Sequence, residues 1–263
     1  MKALILGALA VLLAVLLAGC ASGPRIDTRH TSLGQDSRAQ FVVLHYTSSD
    51  LQRSLEILKG DGVSSHYLIG ESPATIYRLV DEDRRAWHAG ESQWNGRTWL
   101  NSSSIGIELV NRGYVEDAQG RRLWYPYSEA QIDALVVLLK DIMQRHGLKP
   151  GAIVGHSDIA PQRKVDPGPL FPWKRLADEG LVPWPDAVAV AQQRQVFAEQ
   201  LPDIGWFQRQ LAAQGYKVPT HEHLDLETRN VIAAFQMKYR PSRFDGEPDA
   251  ETAALLAVLN TPS

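Results

Sequence analysis

The sequence predicts an α/β domain up to about residue 180 and a smaller all-helical module after it. Two observations carry this prediction. Short apolar, β-branched runs alternate with amphipathic helical patterns, which is typical of a sheet flanked by helices. Beyond a proline-rich segment, only helical patterns remain. A length of 263 residues suits one medium domain and one small one.

The first part of the chain contains four predicted strands and one short helix. FVVLHYTSS is apolar on both faces and predicts a buried strand. LQRSLEILKG predicts an amphipathic helix that ends at Gly60. SSHYLIG and ATIYRLV predict two strands joined by a turn at residues 71–73, and SSIGIELVN predicts another strand.

The clearest predicted helix is SEAQIDALVVLLKDIMQRHG, and GAIVGH after it predicts a further short strand. Ser128 and Gln131 have the spacing of a capping box, and Gly147 is expected to end the helix. The apolar stripe of this helix, which is expected to face the core, consists of Ile132, Leu135, Leu139 and Ile142.

The segment DPGPLFPWKRLADEGLVPWP contains five prolines and predicts the end of the α/β domain and a stiff connection. IGWFQRQLAAQG, TRNVIAAFQMKYR and DAETAALLAVL predict helices after it, with Asp249 as the N-cap of the last. We therefore expect the α/β domain at residues 38–180, a linker at residues 181–186 and a helical module at residues 187–263.

The first twenty residues are predicted to be a targeting signal. Lys2 precedes an apolar run of about 15 residues, which is short for a membrane-spanning helix. The run ends in LAGC, whose cysteine, Cys20, is the only one in the chain. This motif resembles the lipobox of bacterial lipoproteins, and the resemblance implies a signal peptide at residues 1–19, lipid on Cys20 and a polar tether at residues 20–37.

A lipid on Cys20 would hold the chain on a membrane. Ala21 and Ser22 follow it, with no Asp directly after the cysteine. By the sorting rule of Gram-negative lipoproteins, we expect an outer-membrane lipoprotein that faces the periplasm. An ordinary secretory signal with a chance cysteine is the alternative. With Cys20 lipidated, the mature chain would contain no disulfide.

The composition argues against nucleic acid as the partner. The net charge is -3 and the pI is about 6.2, whereas nucleic-acid binders usually carry a basic excess. Seven Trp residues suit stacking on sugar rings, although Trp more often packs cores and interfaces. The sequence leaves open whether the chain forms homo-oligomers.

Two histidines and an aspartate are predicted to meet at one edge of the sheet. His45 ends FVVLHY and His156 follows AIVG, at the carboxyl ends where α/β proteins place their sites. Asp166 lies ten residues after His156, in the loop GHSDIAPQRKVDPG, which is long enough to return to the same ion. Each residue alone is more often structural or solvated than functional, so the prediction rests on the set.

Two further charged residues complete the set. Glu108 is the one charge in SIGIELV, and Gly106 on the same strand face leaves room beside it. Lys164 lies two residues before Asp166, so an extended segment would direct both side chains to the same pocket. Glu108 can take a proton from water and pass it to a leaving nitrogen, and Lys164 can stabilise an oxyanion.

Three N/O ligands with a fourth position left for water are typical of a catalytic zinc site, so we expect one Zn²⁺ per chain. The same ligands also suit non-haem iron(II), but that alternative gives Glu108 and Lys164 no role, and its close His-x-Asp spacing is absent. The sequence contains no HExxH, which excludes the familiar zinc-protease helix as the ligand source.

Five motifs, VVLHYT, VSSHYLI, AWHAG, SIGIELVN and VGHSDIAPQRKVDPG, resemble in order those of the type-2 N-acetylmuramoyl-L-alanine amidases, a family that includes phage amidases and peptidoglycan recognition proteins. The resemblance spans roughly residues 38–178. The lipobox resembles that of outer-membrane members of the family. The C-terminal segment from LDLETRN onward resembles, more weakly, a three-helix peptidoglycan-binding module.

The resemblance implies a mixed central β-sheet flanked by helices. It also implies that His45, His156 and Asp166 are zinc ligands, that Glu108 is the catalytic carboxylate and that Lys164 is the transition-state cation. Ser65 replaces a tyrosine that some relatives carry, which favours a mechanism based on glutamate. Four residues from AWHAG and ESQWNGRTWLN are candidate substrate contacts, namely Trp87, His88, Trp94 and Asn101.

The expected function is zinc-dependent hydrolysis of the amide bond between N-acetylmuramic acid and L-alanine, in peptidoglycan and muropeptides during cell-wall turnover. Two alternatives stay open. A binding module of the recognition-protein kind would hold wall fragments without cutting them. Another zinc peptidase would cut within the stem peptide. The sequence does not indicate whether 1,6-anhydro or ordinary muramic acid is preferred.

Overall fold

A five-stranded mixed sheet lies at the centre of the computed structural model, which describes residue 24 and residues 26–261. The strands, in chain order, are β1 (Phe41–Tyr46), β2 (Tyr67–Ile69), β3 (Ile76–Arg78), β4 (Gln93–Trp94), β5 (Arg97–Thr98), β6 (Ser104–Leu109), β7 (Tyr114–Glu116), β8 (Arg122–Trp124) and β9 (Ile153–Gly155). The sheet order is β3-β2-β6-β1-β9, and only β3 runs antiparallel to its neighbour. The predicted mixed sheet is therefore confirmed.

The helices flank this sheet and then form the C-terminal region. They are α1 (Leu51–Leu58), α2 (Glu129–His146), α3 (His156–Ile159), α4 (Trp173–Asp178), α5 (Ala187–Glu199), α6 (Ile204–Gln214), α7 (Leu226–Tyr239) and α8 (Ala250–Leu259). The pairs β4–β5 and β7–β8 are short antiparallel hairpins that the sequence patterns did not predict. In the described part of the chain, none of these helices has the length and apolar character needed to cross a membrane.

The two ends of α2 confirm the predicted helix end and one half of the predicted capping box. Ser128 accepts a hydrogen bond from the backbone N–H of Gln131, and Gly147 ends the helix with φ 65°. The reciprocal half of the predicted capping box does not form. The Gln131 amide is instead fully buried and donates to the carbonyl oxygens of Ile69 and Val110, at 3.0 Å each. It therefore joins α2 to the ends of β2 and β6.

Alternation along β1 divides the core into two clusters. Val42 and Leu44 face the cluster that contains α2 and α4, while Phe41 and Val43 face a cluster built with the C-terminal helices. The second cluster combines residues of both regions, among them Val154, Phe207, Leu211, Tyr216, Val231, Phe235 and Leu256. The helical module and the sheet therefore share one core.

The predicted linker at residues 181–186 is not a free connection, because its first two residues, Leu181 and Val182, are buried in the cluster with α2. Apolar side chains at these positions gain more from the core than from solvent. Residues 37–261 form one compact unit. Residues 26–36 contain no helix or strand, as expected for a tether, whereas the predicted signal peptide and Cys20 lie outside the described residues.

Candidate metal centre

The parallel register of β1, β6 and β9 brings the predicted site residues to one edge of the sheet. His45 lies opposite Glu108 in the pairing of β1 with β6. Gly155 ends β9 beside Leu44, so that His156, the next residue, begins α3 close to His45. Carboxyl ends of parallel strands meet at one edge, which is why residues far apart in sequence converge here.

Three side chains, those of His45, His156 and Asp166, converge on one point. The two Nδ1 atoms are 2.9 Å apart, and Oδ2 of Asp166 lies 3.1 Å from Nδ1 of His45 and 3.0 Å from Nδ1 of His156. All three side chains are buried, and one ligand atom from each lies within 4.8 Å of the others. Two nitrogens and one carboxylate oxygen in this arrangement fit a zinc ion that keeps one open position.

The electrostatics of His45 and Asp166 favour the protonation states that a metal requires of them. Burial, assisted by the nearby charge of His156, lowers the pKa of His45 to about 4, so His45 is neutral at pH 7. Burial alone would raise the pKa of Asp166, but His156 and His45 together hold it well below its ordinary value. Neutral imidazole and ionised carboxylate are the forms that bind metal.

The outer nitrogens of both histidines contact consecutive residues of one loop. Nε2 of His156 lies 3.2 Å from the carbonyl oxygen of Ala89, and Nε2 of His45 lies 3.0 Å from Nδ1 of His88. The amide oxygen of Asn101 accepts the backbone N–H groups of both His88 (3.1 Å) and Ala89 (2.7 Å). One buried side chain therefore holds the loop that supports both histidines.

Glu108 and Lys164 line the same cavity, which has a volume of about 610 Å³. Oε2 of Glu108 is buried and has no hydrogen-bond partner among the described residues. Burial, followed by the charge of Asp166, raises the pKa of Glu108 to about 8, while Lys164 acts in the opposite direction. A cation bound beside Glu108 would favour its ionised form. This carboxylate therefore lines the same cavity as His45, His156 and Asp166, with one oxygen that no described group engages.

Of the four predicted substrate contacts, two line the cavity and two do not. Trp87 lines the cavity with 48% of its surface exposed, and the guanidinium of Arg85 lies 4.2 Å from its ring centroid. His88 borders the cavity but is buried behind His45. Trp94 and Asn101 do not line it.

The positions of Trp94 and Asn101 correct their expected role as direct contacts. The Trp94 ring is buried against Tyr216 of the C-terminal region, with ring centroids 4.8 Å apart. The Asn101 amide is turned inward to the loop of His88 and Ala89. Sequence reasoning also missed Ser104 and Ala89, because their contacts with the histidines join distant parts of the chain and leave no local pattern.

Comparison with protein families matches two parts of the chain. Residues 35–169 match the family described as N-acetylmuramoyl-L-alanine amidase, and residues 200–256 match the family described as putative peptidoglycan binding domain. The first match contains all five residues of the predicted site, and the second covers most of α6 to α8.

Individual relatives match nearly the whole chain. The N-acetylmuramoyl-L-alanine amidase AmiD of Escherichia coli (strain K12) is 45% identical over 261 residues, covering 94% of each chain. The solved complex of AmiD with anhydro-N-acetylmuramic acid-L-Ala-D-gamma-Glu-L-Lys has a TM-score of 0.82 and 44% identity, covering 91% of this chain and 95% of that one. AmpDh3 from Pseudomonas aeruginosa, solved with anhydromuramic pentapeptide, has a TM-score of 0.83 and 38% identity, covering 91% and 98%.

Proposed function

This chain belongs to the N-acetylmuramoyl-L-alanine amidase family, and from that premise we propose how its own residues perform the reaction. The enzyme hydrolyses the amide bond between N-acetylmuramic acid and L-alanine in peptidoglycan and its fragments. The observation that carries the proposal is the convergence of His45, His156 and Asp166 beside the unpartnered oxygen of Glu108. Since two solved relatives hold anhydromuramoyl peptides, such peptides are proposed substrates here.

The proposed cofactor is one Zn²⁺ per chain, held by Nδ1 of His45, Nδ1 of His156 and Oδ2 of Asp166. The donor set fits zinc because it offers two imidazole nitrogens and one carboxylate oxygen around a single point. When bound, zinc supplies a positive charge that polarises a carbonyl group and lowers the pKa of water.

The protein's own groups supply the proton transfers. Oε2 of Glu108, which no described group engages, is proposed to take a proton from the attacking water and to return it to the nitrogen of L-alanine as the amide bond breaks. The ammonium group of Lys164 is proposed to stabilise negative charge on the lactyl carbonyl oxygen. The products are a muramic acid carboxylate and a stem peptide with a free L-alanine amine.

The first test is to incubate the protein lacking residues 1–22 with sacculi, with and without a chelator, and to identify the released material by mass. Released peptides that begin with L-alanine, lost on chelation and restored by zinc, are the expected result. Fragments cut within the stem peptide would instead indicate a zinc peptidase. Sedimentation with sacculi and no release would indicate a binding protein. Restoration by iron(II) and not by zinc would overturn the metal assignment.

We propose a second role for residues 187–263, which is to bind peptidoglycan and so raise the local concentration of substrate. The proposed boundaries, a catalytic domain at residues 38–180 and a module at residues 187–263, are supported by the two family matches. Because the two regions share a core, deletion of the module is a poor test. The test is sedimentation of the full-length Glu108→Gln variant, which should not cut the wall, together with sacculi. If this variant stays in solution, the binding role is contradicted.

The proposed location is the outer membrane, with the enzyme attached through lipid on Cys20 and facing the periplasm. The support is the LAGC motif followed by Ala21 and Ser22. The test is cell fractionation with labelled palmitate. Cys20→Ala should remove the label and release the chain from the membrane fraction, and unchanged fractionation would contradict the anchor.

A further inference from the structure

A line of buried hydrogen-bonding groups runs from the proposed zinc ligand His45 into the protein interior. Nε2 of His45 lies 3.0 Å from Nδ1 of His88, and Nε2 of His88 lies 3.2 Å from Oγ of Ser104. The Ser104 hydroxyl in turn donates to the carbonyl oxygen of Leu100 at 2.6 Å. Ser104 and Leu100 are fully buried, and His88 is 9% exposed, so water contributes little to this line.

The carbonyl oxygen of Leu100, at the end of this line, determines which group donates in each of its hydrogen bonds. A carbonyl oxygen only accepts, so the single hydroxyl proton of Ser104 is used on Leu100. Oγ of Ser104 must then accept from Nε2–H of His88. A neutral His88 with its proton on Nε2 has a lone pair on Nδ1, which accepts from Nε2–H of His45.

We propose that His88 is a positioning residue for the metal centre. Acting through His45, and with its own tautomer set by Ser104, it keeps the proton of His45 on Nε2 and the lone pair of Nδ1 directed at the metal. This inference rests on the proposed zinc site. The sequence suggested that His88 contacts substrate. The inference assigns it a different role.

The surroundings of His88 are built to hold its ring in this position. A Cβ atom at Gly106 would lie 2.4 Å from Cγ of His88, so the ring occupies the space that a side chain on β6 would otherwise fill. Asn101 accepts the backbone N–H of His88 and so fixes its main chain. The ring is edge-on to His45, with centroids 5.1 Å apart. A group that merely filled space would need neither this orientation nor the contact with Ser104.

The proposal is tested first on the unaltered protein. Nitrogen-15 NMR of the zinc-loaded chain should show His45 and His88 both protonated on Nε2 and unprotonated on Nδ1. A proton on Nδ1 of His88 would overturn the proposal even if zinc binds as expected. Failure of the unaltered chain to bind zinc would instead contradict the metal site itself, so the two failures are distinguishable.

A matched pair of variants then separates hydrogen bonding from packing. In His88→Asn, the amide oxygen takes the place of Nδ1 and can still accept from His45. In His88→Gln, the terminal amide takes the place of Nε2 and the acceptor near His45 is lost. We expect His88→Gln to weaken zinc affinity by roughly 10- to 100-fold, as loss of an outer partner of a metal ligand typically does, and His88→Asn to stay within a few-fold of the unaltered chain.

Zinc affinity is measured by competition with a chelator, and circular dichroism reports whether each variant folds. Equal losses in the two folded variants, or no loss in His88→Gln, would contradict the proposal. Ser104→Ala provides an independent variant, because it removes the acceptor for Nε2–H of His88 without touching His45. In the zinc-free protein, where the metal does not fix the His45 proton, it should produce a mixture of His88 tautomers in the NMR spectrum, and an unchanged spectrum there would also overturn the proposal.

Discussion

The ammonium group of Lys238 lies 3.0 Å from Oδ2 of Asp158, and both side chains are buried. Lys238 belongs to α7 of the C-terminal region, whereas Asp158 lies two residues after His156, on α3. The same oxygen accepts the backbone N–H of Gly155 at 2.8 Å, and Tyr216 donates to the other carboxylate oxygen at 2.7 Å. The C-terminal region therefore completes the surroundings of the helix that begins with His156.

We expect Lys238→Met to destabilise the protein by about 3–5 kcal/mol, because it leaves the carboxylate of Asp158 buried without its cation. The double variant with Asp158→Asn should recover part of the loss, since no buried charge then remains. The measurement is denaturant unfolding in a double-mutant cycle. Lys174→Met, which breaks the exposed pair of Lys174 with Asp178, is the control and should cost about 0–1 kcal/mol. Similar losses of unfolding free energy in the two lysine variants would contradict a special role for the buried contact between Lys238 and Asp158.

Glu108→Gln should retain zinc and lose catalysis. The amide keeps the size of the side chain but cannot take a proton from water, so the rate should fall by roughly 10²- to 10⁴-fold. Metal content and the release of L-alanine peptides are measured on the same sample. Glu199→Gln, at the exposed end of α5, is the control and should keep the full rate. A Glu108→Gln enzyme that retains near-full activity would exclude Glu108 as the proton carrier.

Gly106→Ala should disturb the metal centre through His88, because the added Cβ would lie 2.4 Å from the ring carbon Cγ. We expect a stability loss of about 1–3 kcal/mol, typical of overpacking, together with weaker zinc binding. Gly62→Ala is the matched control, since a Cβ there meets no atom within 4 Å. Normal zinc affinity in a destabilised Gly106→Ala protein would show that the ring moves without consequence for the ligand.

Stability should depend on pH through Glu82. Burial acts to raise the pKa of Glu82, but hydrogen bonds from Arg145, Tyr67 and His146 more than offset it and lower the value from 4.5 to about 2. Because the folded pKa lies below the unfolded one, the contribution of this carboxylate is complete above pH 4.5 and is lost as the pH falls towards 2.

The corresponding measurement compares the free energy of unfolding of the unaltered chain and Glu82→Gln across this pH range. At neutral pH the difference should be about 1–2 kcal/mol, because solvent screens part of this interaction, and it should shrink steadily below pH 4.5. A difference that stayed constant from neutral to acid pH would mean that the effect of the substitution is steric and not due to charge.

The fold and the meeting of His45, His156 and Asp166 were predictable because their signals are local. The apolar run of β1 and the caps of α2, Ser128 and Gly147, can be recognised within a few residues of sequence. The two histidines could be predicted as site residues because a polar group at the end of a buried strand contributes little to packing, and His45 and His156 both lie at such ends. Parallel strands then bring these ends together without further information.

The remaining features depend on contacts between distant residues. The Gln131 side chain has the spacing of a capping box, but it donates instead to the carbonyl oxygens of Ile69 and Val110 at the ends of β2 and β6. The contacts of His88 with His45 and Ser104 left no sequence signal, because these partners lie 43 and 16 residues away. Such partners are identified only after the strands have been placed side by side.

The core shared by the sheet and the C-terminal helices limits how this enzyme can be recombined. Modules joined by a free linker can be exchanged between proteins because they share no contacts. Here a transplanted module would have to bring a lysine to Asp158 and a tyrosine to its other oxygen, and would have to fit Phe41, Val43 and Val154. Chimaeras cut near residue 186 should therefore fold only when both halves come from the same parent, and the two regions should be inherited together.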